Sequence, residues 1–290
     1  MTLDAPPPFD AEKLRADLDL CTLGERFYLK TLDQISPAGM AQPSILPGWS
    51  RVHVAMHIVH NAEGFMRLLE WARTGTENPM YPSRAERDAQ IEESAAHTSG
   101  EDALAIAHEV VAELEGDFAR MDDAAWSATV VSGRGDDIRA AEIPWLRARE
   151  VFVHALDLGI GATTLDFPAA VVDRLLGDIA PIWEKKGLRT HYVLTLTDRD
   201  GDLVIRTGEE NPAGASGAGS PAASSSDGGS PADAASPEAS EAPVEVSGEA
   251  AEVLSYLMGR GWPRSTAERT DKGVDGAGTP RDLPTPPAWL

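Results

Sequence analysis

Apolar residues at helical spacing mark two long segments near the start of the chain. Between Asp10 and about Gln34 they recur often enough to cover one broad face of a helix. The second segment follows Ser50, whose side chain is suited to capping a helix, and runs without proline to Gly75, a common helix terminator. Both patterns predict long amphipathic helices.

Two further helical arms follow before residue 160. The third combines a short helix in SRAERDAQIEESAAH with a long one in EDALAIAHEVVAELEGDFARM. The fourth follows the turn-rich sequence SGRGDD, with Pro144 in its first turn and Gly159 and Gly161 at its end. Because no strand is predicted in this region, the first half is expected to form a four-helix bundle, whose core often holds metal sites.

The second half of the chain has a mixed pattern. A helix is predicted in FPAAVVDRLLGDIAPIWEKKG, and a hairpin in the β-rich runs HYVLTLTD and DLVIRTG. A further strand is predicted in VEVSG, followed by a helix that we expect to be capped by Ser247 and to end at Gly259. The predicted fold class is α+β, with a four-helix bundle in residues 1–164 and a smaller α/β domain in residues 165–290.

A low-complexity segment interrupts this second domain from Glu209 to Ala242. It consists almost entirely of Ala, Gly, Ser, Pro and acidic residues, and it contains no Lys, Arg or aromatic residue. Such a segment buries too little apolar surface to offset the entropy that it loses on ordering. We therefore predict a disordered acidic insertion at about 209–242.

The composition argues against several classes of partner. With 47 acidic against 25 basic residues, the chain has a net charge of −22, which repels nucleic-acid backbones and anionic membrane surfaces. No apolar run approaches the roughly 18 residues that cross a bilayer, and the first residues lack a secretory signal pattern. We expect a cytoplasmic protein, monomeric or weakly self-associating, that acts on small molecules.

The single cysteine, Cys21, lies within the first predicted helix. One cysteine cannot form an intramolecular disulfide, and at such a position it is most often a small buried apolar residue. A reaction that needs a thiol would therefore take it from an external molecule.

Polar stripes cross two of the predicted helices. The fourth helix is apolar except for one face at i, i+3, i+7 and i+10, formed by Arg147, Glu150, His154 and Asp157. The second helix has a face at i, i+4 and i+7 formed by His53, His57 and His60. If these stripes meet in the core, one histidine joins Glu150 and His154 in a two-nitrogen, one-carboxylate set that is typical of catalytic zinc.

Spacing alone leaves alternatives open at each of these positions. An i, i+4 Glu–His pair is more often an exposed helix pair than a pair of metal ligands, and spacing does not choose among the three histidines. Arg147 and Asp157 suit either a role in orienting the ligating imidazoles or a surface ion pair. The same ligand set also accepts divalent first-row ions other than Zn²⁺.

Five motifs carry a resemblance to a known family. They are LPGWSRVHVAMHIVHNAEGF, MYPSRAERDAQIE, AAEIPWLRAREVFVHALDLG, VSGEAAEVLSYLMGRGW and LPTPPAWL. In these motifs the chain resembles the mycothiol-dependent maleylpyruvate isomerases, whose N-terminal half belongs to the DinB-like metal-binding bundles. The resemblance covers nearly the whole chain, although the acidic insertion departs from the compact family pattern.

The resemblance implies specific site residues. Of the three histidines it selects His57, which together with Glu150 and His154 would hold zinc. It further implies catalytic roles for two arginines: Arg87, placed in the loop after the second helix, and Arg260 in LMGRGW. A planar guanidinium is suited to clamping the carboxylates of a substrate.

The implied activity is a metal- and mycothiol-dependent cis–trans isomerisation of maleylpyruvate to fumarylpyruvate, in gentisate degradation. A thiolate, stabilised by the metal, would add to the conjugated double bond, which then rotates as a single bond and re-forms when the thiolate leaves. Two alternatives remain open: a mycothiol S-transferase that conjugates electrophiles, and a non-catalytic protein that binds a small anion and holds a structural metal.

Overall fold

The structure, a computed structural model, describes residues 9–208, 243–262 and 283–287. The chain divides into two compact units, Met1–Thr163 and Thr164–Leu290. The insertion predicted from Glu209 to Ala242 lies outside the described residues. Among the residues described, no helix is both long enough and apolar enough to cross a membrane.

Four long helices pack around the apolar core of the first unit. Its helices, in chain order, are α1 (Ala11–Leu32), α2 (Arg51–Thr74), α3 (Arg84–His97), α4 (Gly100–Ala119), α5 (Asp123–Ser127) and α6 (Ile143–Asp157). The long ones are α1, α2, α4 and α6, while α3 is a short polar helix that leads into α4. This arrangement confirms the predicted bundle and its third arm of two helices.

Local sequence accounts for the ends of these helices. Asp10 caps α1 by accepting bonds from the backbone N–H groups of the first turn, and Ser50 caps α2 in the same way. Gly75 ends α2 with a left-handed backbone at φ 71°, which glycine adopts without steric cost. Pro144 lies in the first turn of α6, where its missing N–H leaves no helical bond unmade.

A small hairpin precedes α6, so the prediction of no strand in this region was wrong. Strands β1 (Thr129–Val131) and β2 (Asp137–Arg139) pair antiparallel, and the turn between them is SGRGD, residues 132–136. Each strand has only three residues, which is too few for an alternating pattern to be recognised. The pairing therefore depends on the turn and on contacts with the bundle.

Helices α1 and α6 pack closely because α1 has a glycine at their contact. A Cβ atom at Gly24 would lie 2.7 Å from Cγ2 of Val151 and 3.0 Å from the ring of Phe152. The missing side chain thus lets the backbone of α1 approach the helix that carries Glu150 and His154.

The second unit combines a three-stranded sheet with two helices. Its elements are α7 (Ala169–Lys185), β3 (Thr190–Leu196), β4 (Asp202–Thr207), β5 (Val244–Gly248) and α8 (Ala250–Leu257). The strand order is β4-β3-β5, with β3 and β4 forming the predicted antiparallel hairpin and β5 parallel to β3. Together with the bundle, this sheet confirms the α+β fold class.

The predicted cap of α8 was wrong. Ser247 belongs to β5, which stays paired with β3 as far as Gly248. The N-cap is Glu249, whose backbone N–H donates to the side chain of Glu252 in a capping box. Strand pairing, which local sequence does not reveal, decides where this helix begins.

Candidate metal centre

Three potential ligand atoms converge between α2 and α6. The Nε2 atoms of His57 and His154 are 3.0 Å apart. Oε2 of Glu150 lies 3.3 Å from the first of these nitrogens and 3.5 Å from the second. The two predicted stripes therefore meet in the bundle, and this group of His and carboxylate side chains is able to share one metal ion.

The spacing of the three atoms fits a single small cation. Ligands bound at about 2.1 Å in a tetrahedron lie about 3.4 Å from one another, and the three separations observed here are close to that value. Three ligands occupy one face of such a tetrahedron, so the fourth position would remain for a water molecule or a substrate. The residues present therefore fit a catalytic type of site.

Both helices place these side chains by simple periodicity. Glu150 and His154 are one turn apart on α6, so they lie on the same face, and α2 packs against that face. His57 and His154 are buried, whereas the Glu150 side chain keeps 15% of its surface exposed. Glu150 is thus the ligand with the most access to solvent.

Electrostatics give two of the three groups the protonation state that binds a metal. Burial and the neighbouring His154 lower the pKa of His57 to about 4, against the opposing effect of Glu150, so its imidazole is neutral. Burial alone would raise the pKa of Glu150, but hydrogen bonds from His154 and His57 outweigh it and hold the pKa well below its ordinary value. Glu150 is therefore a carboxylate.

Asp157 orients the imidazole of His154. Its Oδ2 atom lies 2.8 Å from Nδ1 of His154, and the aspartate is fully buried. Burial by itself lowers the pKa of His154, but the hydrogen bonds with Asp157 and Glu150 raise it overall. With Nδ1 paired with Asp157, Nε2 is the His154 nitrogen that faces the other two candidate ligand atoms, and it would bind an ion after losing its own proton.

Arg147 neither orients a ligating imidazole nor forms a surface ion pair, the two roles that its spacing suggested. It is fully buried, and its guanidinium donates to both carboxylate oxygens of Glu25 on α1, at 2.7 and 3.2 Å. It also donates to the carbonyl oxygen of Ile58 and to Oδ1 of Asn61, each at 2.8 Å. The surface-pair interpretation is therefore wrong, because Arg147 joins three helices inside the core.

The other two histidines of α2 bind elsewhere. His53 belongs to the N-terminal cap, where its Nδ1 accepts the backbone N–H of Ser50 at 3.2 Å. His60 is buried, with Nδ1 2.9 Å from Oε2 of Glu63 and Nε2 2.8 Å from Oγ of Ser94. Spacing alone left these two histidines as candidates, the family resemblance selected His57, and the structure places His57 beside Glu150 and His154.

Arg87 reaches the candidate centre from α3 and not from a loop. Ser83 caps this helix, so Arg87 falls within its first turns. Its Nη2 atom lies 3.4 Å from Nδ1 of His57, and its guanidinium carbon stands 6.0 Å above the centre of the Tyr81 ring. The expected loop position was wrong, although the side chain does lie beside the candidate ligands.

Arg260 belongs to the second compact unit. It follows α8, where its backbone N–H donates to the carbonyl of Ser255 at 2.9 Å. Its guanidinium donates to the carbonyl of Met258 at 2.7 Å.

Two aromatic residues, one beside His57 and one beside Arg87, were not predicted as part of the site. The ring centre of Trp49 is 5.7 Å from that of His57. Burial raises the pKa of the Tyr81 phenol to about 12, so Tyr81 remains protonated beneath Arg87. Both residues occur in the motifs LPGW and MYPS, so their presence in family motifs was the available signal.

Comparisons with known proteins identify what the chain is similar to. A family model described as the mycothiol maleylpyruvate isomerase N-terminal domain matches residues 21–159. The crystal structure of the mycothiol-dependent maleylpyruvate isomerase has 27% sequence identity and a TM-score of 0.73, and the match covers 95% of this chain and 97% of that chain. A histidine-to-alanine mutant of that enzyme gives the same values. Curated protein sequences give no significant match. Residues 21–159 of this chain therefore form a mycothiol maleylpyruvate isomerase N-terminal domain, and nearly the whole chain is similar to the mycothiol-dependent maleylpyruvate isomerase.

Proposed function

We propose that this protein is a cis–trans isomerase that converts maleylpyruvate to fumarylpyruvate with mycothiol as its thiol cofactor. The observation that carries the proposal is the convergence of His57, Glu150 and His154 within the bundle of this family. We place the reaction in gentisate degradation.

His57, Glu150 and His154 would hold the divalent ion. We propose zinc, because two imidazole nitrogens and one carboxylate oxygen form a common catalytic zinc set. Other first-row ions accept the same ligands, so metal analysis is part of the test. When bound, the ion supplies stabilisation of a thiolate at neutral pH.

The thiol is proposed to come from outside the chain because Cys21 is unsuited to the reaction. Burial raises the pKa of its thiol far above the ordinary value, with a further contribution from Glu25. Cys21 therefore stays protonated, and a thiol is a much weaker nucleophile than a thiolate. The low-molecular-weight thiol named by the family fills this gap.

The chain's own residues would prepare the site in two ways. Asp157 keeps the His154 ring in the orientation that directs Nε2 toward the ion. Arg87 would bind a substrate carboxylate, since its guanidinium lies beside His57 and carboxylates pair well with guanidinium groups. Arg260 is proposed for a second carboxylate, on the basis of the motif LMGRGW.

The proposal extends to the organisation of the protein. We assign residues 1–164 to the metal-binding domain and residues 165–290 to the C-terminal α/β domain. The protein is proposed to act as a monomer or weak homo-oligomer in the cytoplasm, a compartment that keeps small thiols reduced.

The matches name an isomerase and favour neither the S-transferase nor the non-catalytic alternative.

A direct assay follows the absorbance of maleylpyruvate after addition of zinc-loaded protein and mycothiol. We expect the absorbance to fall only when both are present, with fumarylpyruvate as the product identified by NMR. A stable thiol adduct instead of a rearranged product would favour the S-transferase. No change in the absorbance or the NMR spectrum would reject the proposed substrate.

Metal analysis of three proteins tests the ligand set. The wild type is expected to bind one zinc ion per chain, and His57→Ala to lose most of it. His53→Ala is the matched control. It removes another imidazole from α2, one that belongs to the N-terminal cap and not to the group of His57, Glu150 and His154. Equal zinc content in the two variants would contradict the assignment of His57.

A further inference from the structure

Helix α3 lacks the apolar face that normally fixes a helix to a core. Of its 14 residues only Ile91 is buried. Ala95, one turn further along, is half-buried against the core of the bundle. Because these two apolar contacts are small, polar contacts must supply much of what fixes the rotation of α3 about its axis.

One face of α3 meets the histidine stripe of α2. That face has the spacing i, i+3, i+4 and i+7 and consists of Arg87, Gln90, Ile91 and Ser94. Ser94 contacts His60 through Oγ, at 2.8 Å from Nε2, and the Gln90 amide nitrogen lies 3.2 Å from Nδ1 of the same ring. Arg87, at the other end of this face, lies beside His57.

The contact between Ser94 and His60 is buried. Nδ1 of His60 lies 2.9 Å from Oε2 of Glu63, so Nε2 is the ring nitrogen left to share a hydrogen bond with the hydroxyl of Ser94. His60 is only 7% exposed, which shields this bond from water. The pair of His53 with Glu92 is weaker, at 3.4 Å with the Glu92 side chain 64% exposed.

We infer that His60 and Ser94 are positioning residues that fix α3 so that Arg87 faces the candidate metal centre. Arg87 and Ser94 are seven residues apart on one helix, two turns that move together. Anchoring Ser94 therefore fixes the rotation of α3 and with it the starting point of the Arg87 side chain. The effect on catalysis rests on the proposed function, in which Arg87 binds a substrate carboxylate.

The test compares Ser94→Ala with Glu93→Ala, a neighbouring change on the exposed face of α3. Loss of one shielded hydrogen bond is expected to raise the KM for maleylpyruvate about threefold to tenfold in Ser94→Ala, with kcat within about twofold of wild type. Glu93→Ala should leave KM unchanged. Ser94→Thr keeps the hydroxyl and should restore most of the lost affinity.

A double-mutant cycle asks whether Ser94 acts through Arg87. If it does, adding Ser94→Ala to Arg87→Ala should raise KM no further than Arg87→Ala alone. If the KM increases of the two single variants multiply in the double variant, Ser94 acts by another route and the inference is overturned. Zinc content should remain at the wild-type value in Ser94→Ala.

Hydrogen exchange gives a readout that does not depend on the proposed reaction. Amides of residues 84–97 should exchange faster in Ser94→Ala than in wild type or Glu93→Ala, while those of residues 51–74 stay unchanged. Unchanged exchange in 84–97 would overturn the inference whatever the activity. If exchange rises as expected but the wild type does not turn over maleylpyruvate, the anchoring stands and the proposed function fails.

Discussion

Asp157 is the residue whose loss should weaken the metal site without removing a ligand. It lies 2.8 Å from Nδ1 of His154, opposite the nitrogen that faces the metal position. We expect Asp157→Asn to lower zinc affinity about tenfold to a hundredfold, because an amide orients and polarises the ring less well than a carboxylate. Competition with a chromogenic chelator measures the affinity, with far-UV circular dichroism as the control for folding. Unchanged affinity would remove Asp157 from the site.

Cys21 should be chemically inert in the folded protein. Burial raises the pKa of its thiol, so at pH 8 it is protonated as well as inaccessible. We expect no alkylation by iodoacetamide over an hour in the native state and complete alkylation in urea, as measured by mass spectrometry. Rapid native labelling would show an accessible thiolate and would reopen the question of an internal nucleophile.

The residues of the candidate site differ in how far sequence reveals them. Glu150 and His154 follow from i, i+4 spacing, and the choice of His57 needed the family motif. Tyr81 and Ser94 come from other segments, so no periodicity connects them with His57. Arg147 has the right spacing for the stripe but turns to Glu25, a partner more than a hundred residues away in the chain.

Helices α1, α2 and α6 are joined by the buried pair of Glu25 and Arg147. Replacing Glu25 by Gln leaves the guanidinium charge buried without its carboxylate, so unfolding free energy should fall by about 3–5 kcal/mol. Urea denaturation measures this change. His108→Ala, which removes an exposed pair with Asp33, is the control and should cost less than about 1 kcal/mol.

A double variant in the same urea experiment separates the cost of burying an unpaired charge from the cost of lost packing. The double variant Glu25→Leu with Arg147→Met removes both charges and should recover much of the stability lost in Glu25→Gln. If Glu25→Gln proves as mild as His108→Ala, the pair does not hold the three helices together.

Element boundaries were predictable where local chemistry sets them. Ser50 and Gly75 delimit α2 because a side-chain cap and a left-handed glycine act within one turn. The hairpin of β1 and β2 and the start of α8 were not predicted correctly, because each depends on backbone pairing between separate segments. Sequence patterns report such pairings only when the strands are long.

At the scale of the whole molecule, the bundle should stay folded without the proposed metal. Its core is apolar and extensive, and α2 is bonded to residues of α6 through the guanidinium of Arg147. After chelation we expect the far-UV circular dichroism at 25 °C to be retained, with a melting temperature that rises again as zinc is titrated back. Loss of helical signal on chelation would indicate a structural metal instead.

Gly24 connects the proposed metal site to the far side of α6. A methyl group there would press on Val151 and Phe152, the two residues that immediately follow Glu150 in the chain. A Cβ atom at this position would have to displace those side chains or the backbone of α6 that carries them. Where the backbone moves, Glu150 and His154 move relative to His57, so we expect Gly24→Ala to change the affinity of the proposed site through a residue outside the ligand set.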